Sequence, residues 1–347
     1  MTMTMKKIIL FLAAGLMAFS SCDDWTEVES LDISVATLES ENSSLYNAYL
    51  EAVRAYKETD HQVTIAKFDN VADTPSGRAE HLTTLPDSVD YIVLYNGGEV
   101  SDENYEEMTT VREDYGTKVL YEINYSTLVS EYKAYAEAGG TTEQNSYISS
   151  AVSTAVGYYS TYGYDGICVV YEGANPESCN DDALSELEDE QTAFFASIAT
   201  WRTSNSSAVL LLEGTPQYIL NYDSLVSSAD YYIVPCESAQ TYYELSYLVN
   251  LVTNYDSSFP TDRFVVGVTT VSLTDTDSTD GYFASTDEDG EEITAIVGAA
   301  SWAVQTSSSY TRAGISVANA QVDYYNSSKI FPNIREAISI MNPTPLN

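Results

Sequence analysis

The sequence predicts a single parallel (β/α)8 barrel, the TIM-barrel class of α/β proteins. Eight short apolar runs recur along the chain, and stretches with helical periodicity separate them, apart from a shorter, irregular connection between the first two runs. Runs that are apolar throughout fit strands buried on both faces, as parallel strands are. Eight such units in about 250 residues or more fit one closed barrel better than an open sheet.

The first 21 residues have the pattern of a secretory signal peptide. Lys6 and Lys7 precede the apolar run 8–18, and small residues then lead to Cys22. That run is too short to cross a bilayer core of about 30 Å, which disfavours a permanent transmembrane helix. Small residues directly before Cys22 resemble the lipobox of bacterial lipoproteins, which implies acylation of this cysteine. An ordinary secreted protein, with Cys22 incidental, is the alternative.

Asp23 and Asp24 follow the lipobox-like segment directly. They resemble the surface-export signal of lipoproteins from glycan-degrading gut bacteria. The expected location is therefore the outer membrane, with a lipid anchor as the sole membrane contact and exposure at the cell surface. The polar residues 22–43 are predicted to form a tether, and residues 44–347 are predicted to form the barrel.

Strands are predicted where several apolar residues run together. They are expected at residues 63–68, 91–95, 118–123, 166–171, 209–212, 231–234, 264–269 and 314–318. Helices are predicted where apolar residues recur every three or four positions, because those residues then share one side of the helix. They are expected at residues 44–58, 103–114, 126–138, 146–161, 182–203, 239–254, 291–305 and 333–341.

The chain is strongly acidic and rich in tyrosine. It carries 52 acidic and 14 basic side chains, a formal charge of −38, and 29 tyrosines among its 347 residues. This charge repels phosphates, which argues against binding of nucleic acid or anionic lipid through basic patches. Uncharged ligands remain open. Tyrosine has a flat apolar face and a hydrogen-bonding tip, which suits both sugars and interfaces.

Neither a metal ion nor a cofactor is predicted. After Cys22 the chain has no CxxC spacing and only two histidines, which argues against structural zinc. The later cysteines are Cys168, Cys179 and Cys236, so at least one is free or paired between molecules, and a Cys168–Cys179 pair stays open. An acidic loop follows the seventh strand. Its spacing does not match an EF-hand, so a solvated loop is predicted, with calcium as the alternative.

The candidate ligand-binding residues follow the predicted strands, because ligands of parallel barrels bind at the carboxyl ends of the strands. Their acidic, amide and phenolic groups suit hydrogen bonds to hydroxyl groups and support of sugar rings. The candidates are Asp69, Tyr95, Asn96, Asn124, Tyr125, Tyr171, Glu172, Glu213, Glu237 and Asn319. For each one, the alternative is that strand ends are polar because they meet water.

The segment Tyr164-Asp165-Gly166-Ile167-Cys168-Val169-Val170-Tyr171-Glu172 resembles a motif of glycoside hydrolase family 18, D-G-x-D-x-D-x-E. This family includes chitinases and endo-β-N-acetylglucosaminidases. Residues 55–61 (AYKETDH) and 85–95 (LPDSVDYIVLY) resemble its endoglycosidase-like branch from glycan-foraging bacteria. The resemblance covers residues from about 45 to 345 and implies a TIM barrel that takes glycans containing N-acetylglucosamine.

Three positions of this motif share one face of the strand, because side chains two residues apart point the same way. In the family these positions are Asp, Asp and Glu. The Glu protonates the glycosidic oxygen, and the neighbouring Asp orients the N-acetyl group of the substrate, whose carbonyl oxygen is the nucleophile. In this chain Cys168 and Val170 replace both aspartates, and Glu172 keeps the general-acid position.

Two more positions depart from what the resemblance implies. Glu237 falls where the family has a tyrosine that holds the acetamide carbonyl, and residues 122–125 (EINY) replace a pattern of small residues. Loss of groups that act only in the transition state removes rate, whereas ground-state binding can survive. We therefore expect no catalytic residues.

The resulting prediction is a non-catalytic surface lipoprotein. It would capture N-glycan-like oligosaccharides for uptake, beside an outer-membrane transporter and neighbouring glycosidases. Two alternatives remain open. One is an active endo-β-N-acetylglucosaminidase with Glu172 as the general acid and an atypical partner, and the other is a structural or interaction barrel with a closed cleft.

Overall fold

The computed structural model describes residues 42–70, 75–274, 279–287, 290–325 and 329–343. The predicted signal peptide, Cys22 and residues 23–41 of the predicted tether lie outside these ranges. The chain divides into two compact units, Met1–Ala48 and Tyr49–Asn347, and the barrel lies in the second. In the first unit, residues 43–48 begin a helix. None of the helices in the described ranges has the length and apolarity required to cross a membrane.

Eight parallel strands close into a barrel, which confirms the predicted fold class. They are β1 (Val63–Phe68), β2 (Tyr91–Leu94), β3 (Lys118–Asn124), β4 (Gly166–Tyr171), β5 (Val209–Gly214), β6 (Tyr231–Pro235), β7 (Phe264–Thr269) and β10 (Arg312–Ala318). Strands adjacent in the sequence are adjacent in the barrel, and β10 closes the ring by pairing with both β7 and β1. A separate antiparallel hairpin pairs β8 (Tyr282–Thr286) with β9 (Glu292–Thr294).

Helices connect the strands, as the periodicity predicts. They are α1 (Ser43–Lys57), α2 (Asp102–Tyr115), α3 (Tyr125–Glu137), α4 (Gln144–Ala155), α5 (Tyr158–Tyr162), α6 (Asp181–Ser204), α7 (Asp223–Ser227), α8 (Tyr242–Thr253), α9 (Ala295–Ala303) and α10 (Pro332–Met341). The prediction of a single helix at 146–161 was wrong, because the helix is interrupted between α4 and α5. Gly157, a residue with low helix propensity, stands at the break.

The helix predicted at 291–305 was also wrong at its beginning. Residues 292–294 form the short strand β9, and the helix α9 begins only at Ala295. Thr294 is the N-cap, and its side-chain oxygen accepts a hydrogen bond from the backbone N–H of Val297 at 3.5 Å. A threonine in this position satisfies a backbone donor that the first turn of a helix leaves open, which favours a helix beginning here.

The core has two layers, one inside the barrel and one between the strands and the helices. The inner layer consists mainly of branched aliphatic side chains: Val63, Ile65, Val93, Leu120, Cys168, Val170, Val209, Leu211, Ile233 and Val265. The outer layer is larger and carries many of the aromatic rings, among them Phe194, Phe195 and Trp302. Because side chains alternate along a strand, this division fixes which residues can reach a ligand inside the barrel.

Aspartates directly before β2, β4 and β6 fasten each of these strands to the preceding one. The acceptors are Asp90, Asp165 and Asp230, and the donors are the backbone N–H groups of Thr64, Val119 and Leu210, each at 2.8 Å. Asp165 also accepts from Arg112 Nε at 2.7 Å. The aspartate that opens the motif on β4 thus joins two strands at the amino-terminal face, opposite the strand ends where a ligand is expected.

Candidate functional site

An ion cluster occupies the barrel interior toward the carboxyl ends of the strands. Lys67 Nζ on β1 lies 2.9 and 2.7 Å from the two carboxylate oxygens of Glu213 on β5. It also lies 2.8 Å from Oε2 of Glu122 on β3. These three side chains are 8–9% exposed, so one cation is buried between two carboxylates.

Burial and charge act in opposite directions on this cluster. Burial by itself lowers the pKa of Lys67, but the carboxylates of Glu213 and Glu122 raise it well above its ordinary value. Lys67 is therefore a permanent cation. Burial raises the pKa of Glu213, Lys67 opposes this rise, and the negative charge of Glu122 adds to it. Lys67 thus opposes the effect of burial on the Glu213 carboxyl group.

The motif positions on β4 face the same interior but carry no charge. Cys168 is fully buried, and Val170 is 8% exposed within the apolar inner layer. Burial raises the pKa of the Cys168 thiol well above its usual range, so the thiol stays protonated. Its Sγ lies 3.6 Å from Oε2 of Glu213, where it is a weak donor. In this cluster the carboxylates come from the neighbouring strands β3 and β5.

Two acidic residues lie above the cluster at the ends of strands. Glu172, directly after β4, is exposed. Glu237, after β6, is partly buried, and burial raises its pKa with added repulsion from the charges of Glu213 and Glu172. A Cβ atom on Gly267 of β7 would lie 3.7 Å from Oε1 of Glu237, so this side chain lies beside β7. Glu172 and Glu237 are thus the exposed and half-buried members of an acidic pair.

A cleft of about 540 Å³ opens beside β2 and β3, and three of the predicted ligand-binding residues line it: Tyr95, Asn96 and Asn124. The other lining residues include Glu122, Thr127, Glu131 and Tyr158. Since Glu122 belongs to the ion cluster, this cleft reaches the edge of the barrel interior. It is a concave, polar surface with aromatic side chains, as expected for an uncharged polar ligand.

Hydrogen bonds hold the cleft residues in place. Asn124 Nδ2 donates to Oε1 of Glu122 at 2.8 Å, and the Asn124 side-chain oxygen caps α3 through the N–H of Thr127. Tyr95 Oη accepts from the backbone N–H of Asn319 at 3.1 Å. Burial raises the pKa of Tyr95 to about 12, so this phenol is neutral. The cleft is therefore preformed, which reduces the entropy lost on binding.

Tyr125 and Tyr171 pack against aromatic rings of the helix layer, so their role in ligand binding stays a prediction. Tyr171 is 2% exposed, and its ring contacts Phe194 and Phe195 in the helix layer with centroids 5.9 and 5.0 Å apart. Tyr125 packs on Phe194 at 5.2 Å. Both face outward because Tyr171 alternates with the inward Val170, and α3 begins at Tyr125.

The remaining candidates have separate surroundings. Glu213 is 7% exposed and paired with Lys67, which removes it from the ligand-accessible surface. Asp69 is exposed, and its backbone N–H donates to Gln321 Oε1 at 3.2 Å. Asn319 lies in the left-handed region with φ of 53°, and its N–H is engaged by Tyr95. None of these three residues lines the cleft beside β2 and β3.

Sequence reasoning missed Lys67, the centre of the ion cluster. A signal was present, because Lys67 is the one charged residue in the otherwise uncharged strand 63–68. Lysine is seldom fully buried unless it is paired. Alternation places Lys67 on the same face as Val63 and Ile65, which predicts a carboxylate partner inside the barrel. The signal does not identify that partner.

The structure also bears on the cysteines and on metal binding. Cys168, Cys179 and Cys236 are free thiols, so the Cys168–Cys179 disulfide left open by the sequence does not form. Within the part of the chain that the structure describes, no group of three or more His, Cys, Asp or Glu residues could hold a metal ion. Four members of the acidic loop, residues 275, 277, 288 and 289, lie outside that part.

Comparisons with known proteins give one family and one fold. The sequence profile of glycoside hydrolase family 18, BT1044-like, matches residues 26–340. No curated protein sequence matches the chain. A selenomethionine form of BT1044 with a Glu-to-Gln substitution is similar, with a TM-score of 0.61, 17% identity, and coverage of 89% of this chain and 96% of that one. A family 18 chitinase from Pseudoalteromonas aurantia has a TM-score of 0.51, 13% identity, and coverage of 80% and 99%.

Proposed function

The chain belongs to glycoside hydrolase family 18, BT1044-like, and on this premise we propose that its barrel binds glycans at a cell surface without cleaving them. The ligands would be N-glycan-like oligosaccharides that contain N-acetylglucosamine. The single observation that carries this proposal is the replacement of both motif aspartates on β4 by Cys168 and Val170. Both residues belong to the apolar inner layer of the barrel.

The chemistry of those two residues explains why hydrolysis is not expected. The substrate-assisted reaction needs a carboxylate that orients the acetamide N–H while the carbonyl oxygen attacks. Val170 can neither accept a hydrogen bond nor carry charge, and the buried Cys168 thiol stays protonated. The buried carboxylates on the neighbouring strands, Glu122 and Glu213, are already engaged by Lys67. Glu172 therefore lacks the partner on β4 that its role as an acid requires.

Binding of a glycan needs hydrogen-bonding groups and aromatic surface but no catalytic carboxylates. The cleft beside β2 and β3 has both kinds of group. Asn96 and Glu131 are exposed at its rim and can exchange hydrogen bonds with hydroxyl groups. Tyr95 and Tyr158 supply aromatic surface, which suits the apolar faces of sugar rings. Such ground-state contacts do not depend on the missing aspartates.

The proposed location rests on the sequence pattern around Cys22. Acylation there would anchor the barrel in the outer membrane through lipid alone, since each buried methylene adds about 0.8 kcal/mol. The tether would hold the cleft outside the bilayer. Captured glycan would then pass to an outer-membrane transporter and to neighbouring glycosidases, which are the proposed partners.

A release assay tests the absence of hydrolysis. The mature chain without its signal peptide is incubated with N-glycosylated glycoproteins, and freed oligosaccharide is measured by mass spectrometry. We expect no release from the wild type, and the same result for Glu172→Gln. Release that disappears in Glu172→Gln would overturn the proposal and establish a hydrolase.

An affinity assay tests binding in the same preparations. Affinity electrophoresis in gels that contain the glycoproteins should retard the wild type, and Asn96→Ala combined with Tyr158→Ala should reduce the retardation. Glu172→Gln should migrate as the wild type does, because Glu172 lies outside the lining of the cleft. Absence of retardation across a broad glycoprotein panel would instead indicate an interaction barrel with a closed cleft.

One observation favours an active enzyme as the second candidate. Burial raises the pKa of Glu237, and Glu172 contributes to that rise through its charge. Two carboxyl groups near each other are the arrangement of carboxylate-pair hydrolases. In this candidate Glu172 would be the general acid and Glu237 its atypical partner, and the Glu172→Gln comparison distinguishes it from the binding proposal.

A further inference from the structure

The exposed side of α8 carries a row of large apolar side chains. Tyr243, Tyr247 and Leu251 are 77%, 51% and 48% exposed. They recur every four residues and therefore lie along one side of the helix. We call these three residues the tyrosine stripe. An exposed apolar surface of this kind in an otherwise acidic molecule indicates a contact with something else.

The two rings of the stripe are nearly parallel. Their planes differ by 16°, and their centroids are 6.5 Å apart. Among the other ring pairs within the described ranges, the smallest angle between planes is 24°. This separation lies within the range of an offset-stacked aromatic pair. Because Tyr243 and Tyr247 are 77% and 51% exposed, both rings still present apolar surface to a ligand.

The segment of the chain that carries the stripe has almost no charge. Residues 238–255 contain one charged side chain, Glu244, in a chain with a net charge of −38. Oε2 of Glu244 accepts the backbone N–H of Gln240 at 2.8 Å, which holds this carboxylate at the beginning of the helix. A cationic ligand gains little from such a surface, and an anionic one is repelled by the rest of the molecule. The charge pattern selects a neutral ligand.

The helix that carries the stripe is held firmly against the barrel. Leu245 and Val249 are fully buried on its opposite side. Ser246 accepts a hydrogen bond from the indole N–H of Trp302 at 3.0 Å, which joins α8 to α9. A tyrosine side chain has only two rotatable bonds, so a fixed helix presents both rings with little entropy left to lose.

We propose that the tyrosine stripe is a second carbohydrate-binding surface, which takes a neutral, extended glycan chain. Each sugar would stack its C–H face on a tyrosine ring, with hydrogen bonds from the phenol groups. The two tyrosines are four residues, or about 6 Å, apart along the helix, which is similar to the length of one sugar unit. The stripe shares no residue with the cleft beside β2 and β3, so it does not rest on the function proposed for that cleft.

Affinity electrophoresis in gels that contain hydroxyethyl cellulose, a neutral glycan polymer without N-acetylglucosamine, tests this proposal. We expect the wild type to be retarded, and the double variant Tyr243→Ala/Tyr247→Ala to lose about tenfold in affinity for the polymer. Tyr243→Phe/Tyr247→Phe, which keeps both ring faces, should retain most of the binding. Tyr105→Ala is the matched control, because Tyr105 is 48% exposed on α2. Thermal unfolding of each variant checks that the fold is unchanged.

The possible outcomes distinguish failure of the proposal for the stripe from failure of the function proposed for the cleft. Retardation of the alanine double variant equal to that of the wild type, or no retardation of the wild type by hydroxyethyl cellulose, would overturn the stripe as a glycan surface. A wild-type dimer that becomes monomeric in the alanine variant would also overturn it, because the stripe would then join two copies. The double variant should still be retarded by glycoproteins, since its cleft is intact. A double variant that loses retardation by both the polymer and the glycoproteins would count against the function proposed for the cleft and leave the stripe standing.

Discussion

Lys67 is the residue on which the charge balance of the barrel interior depends, because it is the cation between Glu122 and Glu213. We expect Lys67→Met to lower the free energy of unfolding by about 3–5 kcal/mol at pH 7.5, since it leaves two buried carboxylates unpaired. Urea unfolding measures this loss. Lys133→Met, at an exposed position on α3, is the matched control and should change stability by less than about 0.5 kcal/mol.

The pH dependence of Lys67→Met follows from the sign of the shift at Glu213. Its pKa in the folded state is already raised by burial, and the loss of Lys67 removes the group that opposes the rise. A raised carboxyl pKa means that stability is greatest below the unfolded value and falls as pH rises through the folded value. The variant should therefore regain stability between pH 7.5 and pH 5. An equal loss at both pH values would contradict this account.

Substitution of Val170 tests whether a further carboxylate inside the barrel destabilises the fold. Its backbone is paired in register with Glu213 on β5. Val170→Asp should be less stable at pH 7.5 than Val170→Asn by at least about 1.4 kcal/mol, equivalent to one pKa unit of repulsion. Urea unfolding of both variants measures the difference, which should shrink at pH 5. We expect no release of oligosaccharide from Val170→Asp, because the first aspartate of the motif is still replaced by Cys168.

The candidate site shows where sequence reasoning at single positions succeeds and where it does not. Tyr95, Asn96 and Asn124 were expected at the mouth, and they line the cleft there. The direction of Tyr171 depends on strand alternation, which points it toward the helices. The Lys67–Glu213 pair could not be identified, since its members are 146 residues apart in the chain. The polar residues at the ends of strands can be read from the local sequence. The partners of a buried ion pair depend on how the barrel closes.

At the scale of elements, strands were predicted within about two residues because each is a buried apolar run. The hairpin of β8 and β9 was missed because it does not contain a buried apolar run. β9 is only three residues long, and its first residue, Glu292, is exposed, so no apolar run indicates it. The break between α4 and α5 was also missed, because both helices continue one periodic pattern. The regular barrel could therefore be predicted, but its irregular additions could not.

The connection between α1 and β1 contains a titratable link to the beginning of β2. His61 Nε2 lies 2.9 Å from Asp90 Oδ1, and Nδ1 lies 2.6 Å from the carbonyl oxygen of Thr59. Acceptors at both nitrogens favour the doubly protonated ring. The hydrogen bond to Asp90 raises the pKa of His61 above 6.5, although burial and the charge of Lys57 oppose the rise.

This link predicts a pH dependence of stability. Because the folded pKa of His61 is raised, its contribution is complete below the unfolded pKa of about 6.5 and disappears as pH rises through the folded value. The wild type should therefore lose part of its free energy of unfolding above pH 6.5, and His61→Gln should lose less over the same range. Denaturant titrations at pH 6 and pH 8.5 measure both. His81→Gln, which leaves the Asp90 link intact, should follow the wild type.

Across the whole molecule, positive charge gathers at the amino-terminal face of the barrel. Several arginines there donate hydrogen bonds to backbone carbonyl oxygens at the junctions between helices and strands. They are Arg54 to Glu113 and Asp114, Arg112 to Gly163, Arg263 to Ala229, and Arg312 to Trp302. The last carbonyl groups of a helix lack partners within the helix. The arginines supply hydrogen bonds to such groups and so stabilise the ends of helices next to the strands. With 52 acidic and 14 basic side chains, the chain has far more carboxylates than cations that could pair with them.

The net charge of −38 therefore predicts how the whole molecule responds to salt. Unlike surface ion pairs, which salt weakens, a surface dominated by one sign repels itself, and added ions relieve that repulsion. We expect the melting temperature at pH 7.5 to rise between 0.02 and 0.5 M sodium chloride, by roughly the few degrees that 1 kcal/mol gives in a domain of this size. Differential scanning calorimetry measures the rise. The effect should shrink at pH 5, closer to the isoelectric point of about 4.1, where fewer carboxylates are ionised. A melting temperature that falls with salt at pH 7.5 would mean that attractive pairs, and not repulsion, dominate this surface.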